Sequence, residues 1–310
     1  MNEVVLLFSG QGAQRVGMGR DFAAGSAAAA GMLAHAQGIL GYDLGKVMAE
    51  GPAEELTRTS RCQPALYLHG LMALALLRER VPNLKVAATA GLSLGEFTAH
   101  AAAGTFSLDD GLRLVARRGE LMEEACEATA GAMAAMIGGE EAAVRDLAQA
   151  CGVDVANLNA PGQIVLSGSI EGIDRAVEAA KDAGIRRAIK LDVAGAYHSH
   201  LMAGAQEKLA LELARVEFLA PQVPVICNFG ACRVSAAAEV REMLEKQVTG
   251  SVRWTQSMRF LLDRGHRTFI ELGPGKVLAG LMGKIERAAI VYSVEDESSL
   301  AAAVDALKGA

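Results

Sequence analysis

The chain contains few aromatic residues, few cysteines and no long apolar segment. Phenylalanine, tyrosine and tryptophan together make up 4% of its 310 residues, so the core must be built from small and aliphatic side chains. The five cysteines are an odd number and form no Cys-x-x-Cys pair, which is typical of reduced thiols and argues against a metal site. No uncharged apolar run reaches about 18 residues, and no basic segment opens the sequence. We therefore expect a cytoplasmic protein with no signal peptide, no membrane partner and no bound metal.

Basic residues are also fewer than acidic ones. The net charge is −6, which argues against nucleic acid as the main partner. Apolar residues make up 51% and charged residues 21% of the chain, the balance of a globular protein with a substantial core. A chain of 310 residues exceeds the usual size of a single core, so we expect one large domain and one smaller one.

The most informative stretch is Gly91-Leu92-Ser93-Leu94-Gly95-Glu96. Residues 85–88 before it are predicted to form a short strand, and residues 94–103 a helix. A serine at such a strand-to-helix turn, with glycines two positions before and after it, is the G-x-S-x-G nucleophile elbow. The turn exposes the hydroxyl, and the following helix aims backbone N–H groups at a developing oxyanion. Ser93 is the candidate nucleophile; the alternative is a serine in an ordinary βα loop.

A second candidate loop follows the first strand. Residues 4–8 form a continuous apolar run, which predicts a buried parallel strand. The strand ends in Gly10-Gln11-Gly12, at the edge of the sheet where α/β folds bind their ligands. The glycine spacing does not fit a dinucleotide fingerprint. Gln11 is a candidate donor to a substrate oxygen, and the alternative is a surface loop residue.

The pattern of predicted elements changes near residue 130. Strands are predicted at 132–137, 153–157, 164–167 and 187–191, and helices at 140–150 and 172–183, with a turn at 159–162. This βαββαβ order predicts a ferredoxin-like subdomain. We therefore expect residues 129–193 to form a small inserted subdomain, and residues 1–128 and 194–310 to form the large α/β catalytic subdomain. A cleft between the two would be a natural substrate site.

Several helices and strands of the large subdomain are predicted from apolar runs. A nearly apolar helix over residues 65–77, preceded by Pro64, should lie buried behind the sheet. Later strands are predicted at 221–228, 268–272 and 289–293. The fold class is therefore α/β, with an α/β-hydrolase-like core built on a parallel sheet.

Two pairs of charged or titratable residues are candidates for the site. Arg117 and Arg118 are adjacent on a predicted helix and point about 100° apart, so at most one can face a cleft. The alternative is a solvated charge pair. His198 and His200 lie at one loop-to-helix junction, and either could be the base that activates Ser93. The alternative for each histidine is a surface or capping role.

Taken together, these motifs resemble the malonyl-CoA:acyl carrier protein transacylases, the bacterial acyltransferases of type II fatty acid synthesis. The resemblance covers nearly the whole chain. It depends on the order and spacing of seven motifs, namely Gly10 to Gln14, Gly51-Pro52 with Gln63 to Leu66, Gly91 to Glu96, Arg118-Gly119, Asn159 to Gln163, Gly195 to Ser199 with Leu201-Met202, and Glu271 to Lys276.

The resemblance implies a role for each matching position. It implies that Ser93 is the nucleophile, that His198 is the base, and that the backbone carbonyl of Gln247 orients the base in place of a triad aspartate. It implies an oxyanion hole formed by Gln11 and the N–H of Leu94. It further implies that Arg118 binds the malonyl carboxylate and that Asn159 and Tyr197 also bind substrate. It also implies malonyl-CoA as substrate, the phosphopantetheine thiol of an acyl carrier protein as acceptor, and no permanently bound cofactor.

Three positions depart from the family pattern. Leu92 precedes the nucleophile where the family usually has histidine, and His200 stands where it often has proline. Tyr197 replaces the usual phenylalanine. Because an aromatic ring is retained there, we expect a small acyl pocket that prefers malonyl over methylmalonyl groups.

Three other functions remain as alternatives. Trans-acting acyltransferases of polyketide assembly lines share the same motifs. A serine esterase of the α/β-hydrolase type shares the elbow, but its triad follows the order serine, acid, late histidine. The only late histidine is His266, which lies between two arginines. A carrier-protein-binding scaffold with an inactive site is disfavoured because Ser93, His198 and Arg118 are all present.

Overall fold

The computed structural model describes residues 3–309. The strands are β1 Val4–Phe8, β2 Val86–Gly91, β3 Gly131–Ile137, β4 Asp154–Ala160, β5 Gln163–Ser169, β6 Arg187–Lys190, β7 Val225–Ile226, β8 Arg233–Val234, β9 Thr268–Leu272 and β10 Ile290–Val294. The helices are α1 Arg20–Gly25, α2 Ala27–Leu40, α3 Leu44–Glu50, α4 Ala53–Thr57, α5 Thr59–Arg80, α6 Leu94–Ala102, α7 Leu108–Ala128, α8 Glu141–Cys151, α9 Ile170–Ala179, α10 Ala203–Arg215, α11 Ala237–Lys246, α12 Trp254–Leu262, α13 Val277–Ile285 and α14 Glu297–Gly309, with a 3₁₀ turn at His200–Met202.

The larger sheet has six strands in the order β10-β9-β1-β2-β7-β8. The first five are parallel, whereas β8 pairs antiparallel with β7. The sequence predicted a parallel sheet, and the antiparallel edge strand corrects that prediction to a mixed sheet. The reason is the short connection between β7 and β8, since a tight turn joins only antiparallel neighbours and a parallel pair needs a crossover.

Helices cover both faces of this sheet. On β1, Val4, Leu6 and Phe8 join the apolar cluster that includes α5, α6 and α7. Val5 and Leu7 point to the opposite face, where they join the cluster formed with α12 and α13. Because successive side chains of a strand alternate between faces, a strand covered on both sides must be apolar throughout, as the run at Val4–Phe8 is.

The second sheet is formed by residues between α7 and α10. Its elements follow the order β3-α8-β4-β5-α9-β6, its strand order is β4-β5-β3-β6, and all its pairings are antiparallel. Apolar residues of α8 and α9 pack on this sheet in a cluster of their own. The chain then returns to the larger sheet at β7.

Some predicted element bounds were wrong. Helix α5 begins at Thr59 rather than after Pro64, so the proline lies inside the helix. Asn159 belongs to β4, and the turn before β5 is reduced to Pro161-Gly162. The predicted strand at 221–228 keeps only the two residues of β7, and β8 was not predicted. Within the described residues, no helix is both long enough and apolar enough to cross a bilayer.

Candidate active site

Ser93 lies at a sharp turn between β2 and α6. Its backbone has φ 53° and ψ −107°, a conformation that non-glycine residues rarely adopt. A side chain at Gly91 would overlap the carbonyl of Gly95, and a side chain at Gly95 would overlap the carbonyl of Phe8. Both glycines are therefore required because the turn packs backbone directly against backbone.

The side chain of Ser93 contacts His198. Ser93 Oγ lies 2.7 Å from His198 Nε2, and His198 Nδ1 lies 2.8 Å from the backbone carbonyl of Gln247. A carbonyl oxygen can only accept, so Nδ1 carries the proton and the Nε2 lone pair faces the serine. His198 is 4% exposed, and burial, followed by the charge of Arg118, lowers its pKa to about 4. The imidazole is therefore neutral at physiological pH.

His200 lies elsewhere. Its backbone N–H and its Nδ1 bond to Asp154 Oδ2 at 3.0 and 2.7 Å, across to the second sheet. Of the two candidate bases, the structure thus brings His198 to Ser93 and holds His200 at the surface.

Arg118 is a buried cation beside the serine. It is 1% exposed and donates from Nη1 to Gln63 at 2.8 Å, and from Nη2 to Gln247 Oε1 at 3.0 Å and to Ser93 Oγ at 3.1 Å. Burial lowers its pKa to about 10, which still leaves it charged near neutral pH. Its Nε has no hydrogen-bond partner, and among the residues that the structure describes no carboxylate forms a salt bridge with it.

Arg117 points the other way. Its side chain is 37% exposed and pairs with Glu120 at 2.9 Å and with Glu124 at 3.3 Å. The two arginines therefore separate as helical geometry requires, with one in the site and one on the surface.

Gln11 lies in the turn that follows β1, and Leu94 comes directly after the turn that follows β2. The two strands are parallel neighbours, so their carboxyl ends meet at one edge of the sheet. Leu94 is the first residue of α6, and its N–H therefore has no intrahelical acceptor. Gln11 Nε2 donates to Thr59 Oγ1 at 3.4 Å. Their oxyanion-hole role stays a prediction.

The two remaining predicted site residues, Tyr197 and Asn159, and the unusual Leu92 contact different parts of the molecule. Tyr197 OH lies 2.6 Å from Thr59 Oγ1, the group that also accepts from Gln11, and burial raises the pKa of Tyr197 to about 12. Leu92 packs against the apolar cluster on the α12–α13 face. Among residues 3–309, the buried Oδ1 of Asn159 has no hydrogen-bond partner, and no hydrogen bond links Asn159 to Ser93. The substrate-binding roles of Asn159 and Tyr197 stay predictions.

Two residues that sequence analysis missed connect these groups. Asn228 Oδ1 accepts from Ser93 N at 2.7 Å, and its Nδ2 donates to Gly91 O at 2.8 Å. Glu96 Oε2 accepts from Gln247 Nε2 at 2.6 Å and from Asn228 N at 3.0 Å. Burial raises the pKa of Glu96 to about 7. Glu96 lies inside the elbow motif, and Asn228 follows a strand that neighbours the strand of the elbow. The sequence signal that could have found both is the rule that ligands bind at the carboxyl ends of parallel strands.

No metal site accompanies this arrangement in the described part of the chain, where no three His, Cys, Asp or Glu side chains form a group that could hold an ion. What the arrangement supplies is an unprotonated histidine nitrogen against a serine hydroxyl, beside a buried cation that forms no salt bridge with any of the described residues. These are the parts needed for covalent acyl transfer of a negatively charged acyl group.

Comparison with known proteins points to the same chemistry. The family model described as acyl transferase domain matches residues 5–295. The malonyl CoA-acyl carrier protein transacylase of Bacillus subtilis (strain 168) is 40% identical over 99% of this chain and 98% of its own length.

Solved structures agree closely with the fold. The acyl carrier protein S-malonyltransferase of Vibrio cholerae superimposes with a TM-score of 0.94 at 36% identity, covering 97% of this chain and 100% of that one. A malonyl-transacylase in complex with its type II polyketide synthase acyl-carrier protein gives 0.93 at 36% identity, covering 98% and 100%. The chain therefore belongs to the acyl transferase domain family and is an acyltransferase.

Proposed function

We propose that this enzyme transfers the malonyl group of malonyl-CoA to the phosphopantetheine thiol of an acyl carrier protein, through a malonyl ester on Ser93, and so supplies fatty acid elongation. The observation that carries the proposal is Arg118, a buried cation 3.1 Å from Ser93 Oγ that has no carboxylate partner among residues 3–309. An acyl group on Ser93 that ends in a carboxylate would neutralise it. The names of the relatives, malonyl CoA-acyl carrier protein transacylase and acyl carrier protein S-malonyltransferase, support this substrate and this acceptor.

The first half-reaction loads the enzyme. His198 Nε2 removes the proton of Ser93 Oγ as the oxygen attacks the thioester carbonyl carbon. The resulting oxyanion is stabilised by N–H groups of Gln11 and Leu94, at about 3–4 kcal/mol for each well-placed donor. The carbon–sulfur bond then breaks, and the protonated His198 returns its proton to the sulfur of CoA.

The second half-reaction reverses the roles. The phosphopantetheine thiol gives its proton to His198 and attacks the carbonyl of the malonyl ester. The bond to Ser93 Oγ breaks, the serine oxygen takes the proton back, and the malonyl thioester leaves on the carrier protein. Gln247 keeps Nδ1 protonated in both directions, and no permanently bound cofactor is needed.

Arg118 would select the acyl group. Its neutral partners Gln63 and Gln247 fix the guanidinium plane without neutralising its charge. A planar guanidinium can bind a carboxylate through two parallel hydrogen bonds, which lysine cannot reproduce. An uncharged acyl group would leave the buried cation unpaired, and this cost disfavours acetyl transfer.

We also propose the finer architecture. Residues 129–193 form a ferredoxin-like subdomain, supported by the strand order β4-β5-β3-β6, and residues 1–128 and 194–310 form an α/β-hydrolase-like catalytic subdomain, supported by the elbow after β2. All five cysteines are free thiols, which supports work in the reducing cytoplasm.

A second candidate function is malonyl supply to a polyketide carrier protein. It is favoured by the likeness to the malonyl-transacylase seen with its type II polyketide synthase carrier protein. Competition between the two kinds of carrier protein for one malonyl-enzyme distinguishes these pathways. A serine esterase would instead release malonate in water without any acceptor thiol.

Intact-protein mass spectrometry tests the proposal. The wild type, mixed separately with malonyl-CoA, acetyl-CoA and methylmalonyl-CoA, should gain one malonyl group and much less of the other two. Ser93→Ala should gain none while keeping its fold, and added carrier protein with its phosphopantetheine should remove the label from the wild type. Persistent loading of Ser93→Ala at another residue would overturn the mechanism.

A further inference from the structure

Asn228 spans the nucleophile turn with both polar atoms of its side chain. Oδ1 accepts the backbone N–H of Ser93 at 2.7 Å, and Nδ2 donates to the backbone carbonyl of Gly91 at 2.8 Å. We propose that Asn228 is a positioning residue that holds Ser93 in its strained backbone conformation and so keeps the hydroxyl aimed at His198. The inference rests on the proposed function, because it concerns the same nucleophile.

The strain makes such a support necessary. Ser93 has φ 53° and ψ −107°, a region that side chains avoid and that persists only where surrounding contacts enforce it. Ser93 is the N-cap residue directly before α6, and its N–H has no acceptor within that helix. Asn228 Oδ1 supplies one, and the second bond to Gly91 prevents the turn from rotating about the first.

Asn228 is itself immobilised. It is 0% exposed, and it follows β7, whose Ile226 pairs with Ala90 of β2, so strand pairing carries it to the elbow. Its backbone N–H donates to Glu96 Oε2 at 3.0 Å, and its backbone carbonyl accepts from Arg253 N at 3.0 Å. With the main chain bonded on both sides, the carboxamide is presented in one orientation.

The same contacts link the nucleophile to its base. Glu96 Oε2 also accepts from Gln247 Nε2 at 2.6 Å, and the carbonyl of Gln247 holds His198 Nδ1 at 2.8 Å. Asn228 and Gln247 therefore meet on one carboxyl oxygen. A shift of Asn228 would change the distance between Ser93 and His198 as well as the backbone of the serine.

A carboxamide is the neutral group that fits this position, because the turn presents one donor and one acceptor. Leucine has a similar volume and offers neither a donor nor an acceptor. An ionised aspartate only accepts, so it would repel the carbonyl of Gly91, whereas a protonated aspartate both accepts and donates. Asn228→Asp should therefore work only while the introduced carboxyl is protonated.

The charged and titratable groups around this position are Glu96 of α6, Arg118 of α7, His198 of the loop before the 3₁₀ turn, Cys227 beside it and Arg253 before α12. Burial and the adjacent Glu96 both disfavour a new anion, whereas Arg118 favours it. Wild-type loading should stay nearly constant down to pH 6 and fall only under more acidic conditions, as His198 is protonated. A loading rate that rises as the pH falls in Asn228→Asp would therefore report protonation of the introduced carboxyl.

The test compares Asn228→Leu and Asn228→Asp with Ser257→Ala. Ser257 is a matched control, because it is buried and its Oγ bonds to the carbonyls of Arg253 and Cys227 next to Asn228 without touching the elbow. The measurements are the single-turnover rate of malonyl loading from pH 5.5 to 8.5, the KM for malonyl-CoA, labelling of Ser93 by a fluorophosphonate probe, and the unfolding midpoint.

We expect Asn228→Leu to slow loading about 100-fold, the usual effect of a small misplacement of a reacting group, with little change in KM. Asn228→Asp should be slow at pH 8 and gain rate relative to the wild type as the pH falls, while Ser257→Ala keeps wild-type rates. The inference is overturned if Asn228→Leu loads as fast as Ser257→Ala, or if Asn228→Asp follows the wild-type pH profile.

The two proposals fail in different ways. If the wild type does not take up malonyl but its Ser93 reacts with the fluorophosphonate, the proposed substrate is wrong. In that case, slower fluorophosphonate labelling of Asn228→Leu still supports the positioning role, and unchanged labelling overturns it. If Asn228→Leu does not fold, the pH dependence of the loading rate of the isosteric Asn228→Asp tests the positioning role.

Discussion

His198 is oriented by a neutral partner, the backbone carbonyl of Gln247, which accepts its Nδ1–H at 2.8 Å. A carboxylate in that place would stabilise the imidazolium and raise the pKa of the histidine. The uncharged carbonyl fixes the tautomer protonated on Nδ1, as a carboxylate would. The positive charge of Arg118 disfavours protonation of the imidazole. The imidazole is thus kept neutral, and this arrangement has measurable consequences.

The first consequence concerns pH. Because burial and Arg118 lower the pKa of His198 to about 4, the imidazole stays unprotonated well below the ordinary pKa of 6.5. We expect the single-turnover rate of malonyl loading to stay nearly constant from pH 8 to pH 6 and to fall only under more acidic conditions. Circular dichroism at each pH controls for unfolding. A midpoint at 6.5 or higher would contradict this description of the site.

The two neighbouring histidines should differ sharply. His198→Ala removes the group 2.7 Å from Ser93 Oγ, so it should lower kcat by about 10²- to 10⁴-fold. His200→Ala removes a bond to Asp154 on the surface and should leave kcat within a few-fold of the wild type. Steady-state rates of the two variants test this prediction. A larger loss of kcat in His200→Ala than in His198→Ala would mean that the base has been misassigned.

The adjacent arginines provide a matched pair for testing the carboxylate site. Arg118→Ala should lower kcat/KM for malonyl-CoA by roughly 30- to 4,000-fold, the effect of losing about 2–5 kcal/mol from a buried charged hydrogen bond. Acetyl-CoA should be affected less or even favoured, because acetyl has no carboxylate. Arg117→Ala, which loses only surface pairs, should change neither substrate appreciably.

Both substrates must therefore be measured on both arginine variants. Equal losses for malonyl-CoA and acetyl-CoA in Arg118→Ala would show that the residue supports the structure or binds CoA. The carboxylate would then have to bind elsewhere in the cleft.

Glu96 should make the stability of the protein depend on pH. Burial raises its pKa from 4.5 to about 7, so the folded state holds a proton that the unfolded state releases. This stabilisation is fully present below pH 4.5 and is lost as the pH rises through about 7. His198, whose pKa is lowered, has the opposite effect below pH 6.5, so only a comparison of variants isolates Glu96.

Glu96→Gln provides that comparison, since glutamine stays neutral and keeps an oxygen for the N–H groups of Gln247 and Asn228. We expect the Tm of this variant to rise relative to that of the wild type as the pH increases from 5 to 8. Thermal unfolding in matched buffers measures the difference. A Tm difference that does not vary with pH would show that Glu96 is ionised throughout this range.

Local patterns were sufficient for much of the fold. The apolar run at Val4–Phe8 and the amphipathic helix that carries Arg118 each follow from side-chain periodicity, so both were predictable. The start of α5 was not, because Pro64 ordinarily ends a helix and packing against α7 overrides that preference here. The short β7 and β8 also escaped prediction, since two-residue strands have too little periodicity to detect.

The sequence by itself determined the nucleophile motif, the chemical types of the site residues and the alternation of elements that builds two sheets. Each of these depends on neighbours within a few positions. Only the tertiary structure decided which histidine meets Ser93 and which arginine is buried with no salt bridge to a carboxylate of the described residues. It also decided that Asn228 bonds to the turn from 135 residues further along the chain. Strand pairing and burial join groups that are distant in sequence, and a linear pattern contains no distances between them.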